Sequence, residues 1–252
     1  MIQGLYTAAN GMMAVEKRQE ALANNIANAS SPGYKRMEPI QLGFYQVFED
    51  TMRKPYHFNA DTAPAGGVKV VETFPHMDPG VLRNSNRPLD MALRGPGFFV
   101  VDTAQGERFT RAGSFTVDIE GDLATQDGHK VQSLEGAPIN VRDGKVLIAD
   151  DGSVTVNSEP AGQIRLVEFE NPTRLMREGD SLFKANEEVQ AMMTEAAGTT
   201  VAQQFLEMSN TYVPLEMSKM MMGLRAYEAN QRIITTLDGT IGRLIDQVGM
   251  PR

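Results

Sequence analysis

The stretch NNIANASSPGYKR, residues 24–36, separates two kinds of sequence. Before it the chain has helical periodicity, and Ser30-Ser31-Pro32-Gly33 is typical of a helix end followed by a turn. Asn24, Asn25 and Asn28 precede the turn at helical spacing, next to apolar residues. Buried amides need hydrogen-bond partners, so we expect them to fix the register between packed helices. The alternative is that they lie exposed at a fraying helix end.

Upstream of this stretch, apolar residues recur at alternating steps of three and four. This heptad pattern is typical of a helix that packs against another helix. It has one polar member, a glutamine. The members are Leu5, Ala8, Met12, Val15, Gln19, Leu22 and Ile26.

The C-terminal segment has the same pattern, which predicts a second long helix. We expect helices over about residues 4–28 and 213–248, packed antiparallel. Gly11 and Gly223 weaken them by about 1 kcal/mol each relative to alanine, so both helices need a partner. Packing of both helices on one globular core is an open alternative. The members of this second heptad are Val213, Met217, Met220, Leu224, Tyr227, Gln231 and Ile234, followed by Leu237, Ile241, Leu244 and Val248.

The middle of the chain predicts short antiparallel strands. Runs of β-branched and aromatic residues alternate with turn signals that contain glycine or aspartate. The sequence thus indicates an α+β protein with terminal helices in a coiled-coil layer and a central β-rich domain. We predict four parts: an N-terminal helix and turn (1–36), an extended connector (37–67), a β-rich outer domain (68–206) and a C-terminal helix (207–252). The predicted strands are 98–101, 114–117, 145–148, 154–156 and 163–169, and the predicted turns are 105–106, 120–122, 126–128 and 150–153.

Charge is distributed unevenly along the chain. The net charge is −8; residues 1–36 carry +2 and residues 207–252 carry zero, which leaves −10 on residues 37–206. An acidic chain is a poor partner for nucleic acid, so we expect none. The chain has no cysteine, which excludes disulfides and thiolate metal sites. We find neither a cleaved signal nor a membrane span.

Motifs for chemistry are missing from the sequence. His57, His76 and His129 are far apart and lie in no metal-binding pattern. Pro96 removes an amide donor that a phosphate-binding loop at residues 95–97 would need. Ser114 lacks the flanking residues of a nucleophile elbow. We therefore predict no catalytic, cofactor-binding or metal site, no cofactor and no small-molecule substrate.

Both ends of the chain resemble the bacterial flagellar rod and hook proteins. Gly4-Leu5-Tyr6-Thr7-Ala8-Ala9 with NNIANASSPGYKR is similar to their N-terminal signature. SNTYVPLEMSKMMMGLRAYEANQRIITTLD is similar to their C-terminal signature, most specifically at residues 225–230. LDMALRGPGFFVV and ERFTRAGSFTVDIEGDLATQDGHKV resemble the β domain of the rod members. One departure is Thr211, where the family often has valine; with Pro214 it leaves the start of the second helix open.

The resemblance implies an axial structural subunit of the flagellar basal-body rod, in the cell envelope, that transmits torque. It implies export by the flagellar type III apparatus, and self-assembly with copies of itself and other rod subunits through the terminal helices. Among rod members, the middle most resembles the subunit between the proximal and distal rod. The expected assembly residues are Leu5, Met12, Val15, Leu22, Asn24, Asn25, Ile26, Asn28, Gly33, Met217, Met220, Leu224, Arg225, Tyr227, Glu228, Asn230 and Ile234.

Two alternatives remain open from the sequence. The chain could be a distal rod or hook subunit of the same family. In a different class, it could be a coiled-coil adaptor with a β-rich binding module, which would form a small closed oligomer. A deep pocket with convergent ionisable groups would favour an enzyme.

Overall fold

The computed structural model describes residues 2–42, 69–142, 144–179, 181–196 and 198–248, and side chains from 7–39, 73–142, 144–179, 181–196 and 198–243. Two compact units form the chain. The helical unit contains Met1–Ala27, Met37–Phe74 and Tyr212–Arg252, and the β-rich unit contains Asn28–Arg36 and Pro75–Thr211. Most of the predicted connector, 37–67, lies outside the described residues.

The described helices are α1 (Ile2–Ala27), α2 (Glu187–Ala191) and α3 (Val213–Val248). The predicted N-terminal and C-terminal helices are therefore confirmed. Pro214 lies in the first turn of α3, where no intrahelical bond needs its missing N–H, so it does not delay the helix start. No helix in the described ranges has the length and apolarity to cross a membrane. The helical unit also contains the paired strands β1 (Met37–Leu42) and β2 (Lys69–Pro75).

The turn after α1 requires glycine at residue 33. The amide of Ser31 donates to the carbonyl of Asn28 at 3.1 Å, which closes the turn. Gly33 has φ of 68°, a conformation that side chains with Cβ disfavour. A Cβ at this position would also lie 2.2 Å from the backbone nitrogen of Ala112. Gly33 thus lets the chain turn while it packs directly on the backbone of the β-rich unit.

The β-rich unit consists of short strands, a short helix and a 3-10 turn at Pro172–Arg174. The predicted strands are all found, with β12 and β13 sharing the run 163–169. The strands are β3 (Leu82–Asn84), β4 (Met91–Arg94), β5 (Phe98–Thr103), β6 (Gly106–Thr110), β7 (Phe115–Val117), β8 (Leu123–Thr125), β9 (Lys130–Val131), β10 (Val146–Ile148), β11 (Ser153–Val156), β12 (Glu159–Gln163), β13 (Leu166–Phe169), β14 (Met176–Arg177), β15 (Leu182–Lys184), β16 (Met193–Glu195), β17 (Thr200–Gln203) and β18 (Phe205–Glu207).

Strand pairs with a described register are antiparallel, as predicted. The largest described sheet has the order β14-β15-β6-β5-β9-β8-β7, and β13 joins β5 to β16. Smaller sheets pair β10-β11-β12, β17-β4 and β18-β3. The predicted turns connect β5 to β6, β7 to β8, β8 to β9 and β10 to β11. Local turn chemistry therefore sets these hairpins.

Strand β5 separates two apolar cores of the β-rich unit. Successive strand residues point to opposite faces. Phe99 and Val101 belong to one core, and Phe98 and Val100 to the other. Each of the four is at most 1% exposed. This explains why the run FFVV is continuously apolar rather than alternating.

Candidate assembly interface

Helices α1 and α3 pack antiparallel within the helical unit. Gly11 of α1 lies beside Asn230 of α3, and Asn25 near the end of α1 bonds Glu216 near the start of α3. Residues further along α1 thus contact residues nearer the start of α3, as expected for antiparallel helices. The antiparallel arrangement predicted from the two heptads is observed.

The two helices approach each other at small residues. The Gln19 amide nitrogen donates to the carbonyl of Met220 at 2.8 Å. A Cβ on Gly223 would lie only 2.2 Å from that nitrogen, and one on Gly11 would lie 3.2 Å from the Asn230 amide nitrogen. These glycines weaken each helix but allow close approach. The coiled-coil layer that the heptads predict stays a prediction.

Asn25 is the buried asparagine of the opening stretch. It is 0% exposed, and its amide nitrogen donates to the carbonyl of Met37 at 2.9 Å and to Glu216 Oε2 at 3.1 Å. Its oxygen accepts from the amide of Met37 at 2.9 Å. Lys219 places its ammonium 3.2 Å from the other oxygen of Glu216, whose side chain is 1% exposed. This polar cluster connects the end of α1, the start of α3 and the start of β1.

The other asparagines behave differently. Asn24 is exposed, and Asn28 lies in the β-rich unit, where its side chain accepts from the hydroxyl of Ser31 at 3.3 Å. Gly33 also lies in that unit. The structure thus buries Asn25 in the helix contact and places Asn28 in the other unit.

The remaining predicted residues of α1 lie mostly on its inner side. Leu22 is buried, and Met12, Val15 and Ile26 are half-buried. The side chain of Leu5 lies outside the described residues. The small residues Ala8, Ala14 and Ala21 are also buried.

The predicted residues of α3 divide between two environments. Met220, Asn230 and Ile234 are half-buried. The exposed residues are Met217, Leu224, Arg225, Tyr227 and Glu228. Part of the apolar heptad of α3 therefore lies on the face towards α1, and part of it is directed to solvent.

Large apolar side chains form two exposed stripes on α3. Stripe A comprises Met217, Met221 and Leu224, at steps of four and three, each between 53% and 57% exposed. Stripe B comprises Leu215, Met222 and Ile233, each between 46% and 66% exposed. At about 100° per residue, the stripes lie about a quarter to a third of a turn to either side of the face that contains Glu216 and Gly223. Helix α3 thus has one face within the chain, where Glu216 and Gly223 lie near the half-buried Met220 and Ile234, and two apolar stripes directed to solvent.

The acidic group Asp118, Glu120 and Asp122 has the spacing of a metal site, but a lysine occupies it. The ammonium of Lys130 lies 2.8 Å from Asp122 and 3.6 Å from Asp118, and also bonds Glu120. Hydrogen bonds to Asp122 and Glu120 raise the pKa of Lys130. The three carboxylates therefore already hold a cation of this chain.

A cleft of about 720 Å³ lies between residues 105–109 and the segment that contains α2. It is open to solvent, and two of its charged residues have partners. Arg108 bonds Glu178, and Glu107 lies 2.8 Å from Arg165. The hydrogen bond from Arg108 lowers the pKa of Glu178.

Sequence reasoning missed part of this interface. Gly11 and Gly223 were interpreted as defects of the helices, whereas both lie at the contact. Glu216 was not predicted at all. A signal was available, because a glycine in each helix allows the close approach that a heptad pattern does not describe.

Comparisons with known proteins identify the family. Residues 5–35 match the family described as flagella basal body rod protein, residues 92–156 the D1 domain of flagellar hook protein FlgE/F/G, and residues 202–247 the C-terminal part of flagellar basal body rod FlgEFG protein. A flagellar basal-body rod protein FlgG of Caulobacter vibrioides is 32% identical over 94% of this chain and 96% of its own length. FlgF of Rhizobium meliloti is 31% identical over all of both chains, and FlgG of Borreliella burgdorferi is 30% identical over 96% and 97%.

These matches run from end to end and include both terminal helices and the β-rich unit. The chain therefore belongs to the flagellar basal-body rod protein family and is a structural protein of the bacterial flagellum.

Proposed function

We propose that this rod protein is an axial subunit that assembles with copies of itself and with other rod subunits through the two apolar stripes of α3. The observation that carries the proposal is the pair of stripes on either side of the face that α1 covers. A helix with apolar residues on one side alone needs one neighbour, whereas α3 offers surfaces to two.

Burial of these stripes would supply a large driving force. Full burial of a leucine, isoleucine or methionine side chain contributes about 1.5–3 kcal/mol, and about half of each side chain is still exposed. The six residues would therefore contribute on the order of 5–10 kcal/mol per subunit. Since the stripes differ in sequence, each would meet a different surface of a neighbour. Contacts between different surfaces do not end in a two-fold dimer, and they build an open helical assembly when the rotation between subunits does not close a ring.

The helical unit would form the inner layer of the shaft, including the coiled coil, and the β-rich unit the outer layer. Charge supports this division, since residues 207–252 carry no net charge and residues 37–206 carry −10. Neutral helices associate without mutual repulsion, and an acidic exterior favours solubility. We propose the same division of the chain that the sequence predicts: an N-terminal helix and turn (1–36), a connector (37–67), a β-rich outer domain (68–206) and a C-terminal helix (207–252).

The subunit would leave the cell through the flagellar type III export apparatus and transmit torque in the finished rod. The absence of cysteine supports unfolded export, because no disulfide has to be opened before passage. We place the subunit between the proximal and distal rod. A distal position is the alternative, and imaging of basal bodies with a density tag on this chain would distinguish them.

Leu224→Asp tests the proposed interface. Because Leu224 is 54% exposed in the single chain, aspartate should leave the melting of the β-rich unit unchanged. In the assembled shaft it would place a carboxylate in an apolar layer, at a cost of several kcal/mol per subunit. We expect cells that export the variant but build no rod and do not swim.

Glu187→Lys is the matched control, since Glu187 is an exposed residue of α2 in the β-rich unit. It should leave assembly and swimming intact. Normal swimming of Leu224→Asp cells would refute the interface. A small closed oligomer of the purified wild-type chain would favour the adaptor instead.

A further inference from the structure

The chain passes between its two units at four points, and Asn210 lies just before the last of them. The crossings are Ala27 to Asn28, Arg36 to Met37, Phe74 to Pro75 and Thr211 to Tyr212. The oxygen of the Asn210 side chain accepts from the amide of Arg36 at 2.8 Å. The same side chain thus connects the last crossing to the second.

Asn210 also reaches the third crossing. Its amide nitrogen donates to the carbonyls of His76 at 2.7 Å and Asp78 at 3.0 Å. The amide of His76 in turn donates to the carbonyl of Arg36 at 2.7 Å. One carboxamide therefore holds three chain segments through backbone groups. Asparagine suits this position because it offers an acceptor and two donors on one short side chain.

A buried ion pair joins the same three segments. Glu207 Oε1 accepts from Lys35 Nζ at 2.6 Å and from the amide of Gly80 at 2.9 Å, and its backbone carbonyl accepts from Gly33 at 2.7 Å. Lys35 Nζ also donates to the carbonyl of Asp78 at 2.9 Å. The side chains of Lys35 and Glu207 are each 1% exposed.

Burial affects both the pKa of Lys35 and the contribution of the Lys35–Glu207 pair to stability. Desolvation lowers the pKa of Lys35 although Glu207 opposes the shift. Buried ion pairs contribute little net stability, but they restrict geometry, because any displacement leaves a buried charge unpaired. A Cβ on Gly80 would lie 1.8 Å from the carbonyl oxygen of Met208, so these segments also pack backbone to backbone. The arrangement is suited to fixing positions rather than to adding stability.

We propose that Asn210 and the Lys35–Glu207 pair form a crossing clamp, which holds three of the four chain crossings of the β-rich unit in fixed positions so that they resist twisting. This proposal rests on the proposed function and concerns how one subunit would carry torque. Under the proposed function, the covalent crossings would carry torque from one unit to the other. Crossing segments that are bonded to each other would share this force, whereas separate segments would each twist alone.

Asn210→Ala tests the clamp, and Ser209→Ala is its control. Ser209 lies in the same segment but bonds only Thr211, through its hydroxyl oxygen, among the described contacts. On the purified full chain, we expect hydrogen exchange at the amides of Arg36 and His76 to become 10- to 100-fold faster in Asn210→Ala and to stay unchanged in Ser209→Ala. In cells, Asn210→Ala should build rods in normal number and swim normally in buffer, yet lose speed several-fold more than Ser209→Ala as viscosity rises.

Three results would overturn the clamp: unchanged exchange at both amides, fast exchange with normal swimming at high viscosity, or loss of rods. Asn210→Ser replaces the carboxamide with one hydroxyl, which can keep only part of the three bonds. It should therefore give an intermediate loss of speed, and it keeps the test open if Asn210→Ala does not fold. Leu224 lies outside the clamp, so swimming of Leu224→Asp cells decides the proposed function separately from these results.

Discussion

The β-rich unit and the helical unit are stabilised in opposite ways. Strand β5 is buried on both faces, and its four core residues are at most 1% exposed. Helix α3, by contrast, directs seven large apolar side chains to solvent, and its described contacts with α1 include a glycine and a side-chain amide. The first unit completes its core within one chain, whereas the second leaves its largest apolar surface uncovered. An assembling subunit can therefore fold one part before assembly and complete the other during it.

Hydrogen exchange should show the largest difference between the units. Because β5 lies between two cores, its amides should exchange only on global opening of the β-rich unit, whereas α1 and α3 open locally. In a proven monomer we expect Val100 and Val101 to exchange at least 100-fold more slowly than most of α3. Equal, strong protection in α3 would mean that the helices are part of the monomer's stable core.

A substitution in the core of the β-rich unit should lower its free energy of unfolding far more than a substitution on α3 does. The ring of Phe98 packs edge-on against Phe169 at 5.7 Å and Phe183 at 5.9 Å. Phe98→Ala should lower the free energy of unfolding of the β-rich unit by about 3–5 kcal/mol. Denaturant titration with near-ultraviolet circular dichroism would measure it. Met222→Ala, on the exposed face of α3, should change that value by less than about 0.5 kcal/mol.

Two glycines of α3 should respond differently to alanine. A Cβ on Gly239 would meet no atom of the described residues within 4 Å, so Gly239→Ala should stabilise the helix by about 1 kcal/mol. Gly223→Ala would displace the Gln19 amide and its bond to Met220, a loss of about 1 kcal/mol that offsets the same gain. Thermal melting of the helical signal should rise for Gly239→Ala alone. An equal rise in both variants would show that the helix contact is not close at Gly223.

Acid should affect the β-rich unit slightly through Asp118. The amide of Asp122 donates to this carboxylate at 2.8 Å and lowers its pKa, and the charge of Lys130 adds to the effect. A carboxyl whose pKa is lower in the folded state contributes stability above its unfolded pKa, near 4, and loses it as pH falls through the folded value. Asp118→Asn should therefore reduce the fall in melting temperature between pH 5 and pH 3. Glu135→Gln, at an exposed turn, is the control; an equal change in both variants would contradict this role.

The β-rich unit was largely predictable because its signals are local. Turn residues fix each hairpin, and continuous apolar runs such as 98–101 mark a strand with two buried faces. The helices were predictable for the same reason, since periodicity and the Pro-Gly turn are visible in the sequence.

The intrachain contact was not predictable from apolarity. A heptad pattern ranks large apolar residues, and it therefore selected Met217 and Leu224. The face towards α1 instead depends on small size at Gly223 and on a buried polar pair, Asn25 with Glu216. These partners lie 191 residues apart, so no local signal connects them. The crossing clamp is hidden for the same reason, because Asn210 bonds backbone atoms of distant segments.

The methionines of α3 have a chemical consequence for a subunit that waits to assemble. Met217, Met221 and Met222 are each more than half exposed, so their sulfur atoms are open to oxidants. Oxidation to the sulfoxide makes a flexible apolar side chain polar. Under the proposed assembly, oxidation before assembly would place polar groups on the surface that neighbours have to cover. Neighbours that cover these side chains would also protect them, so the free subunit would be oxidised faster than the assembled one.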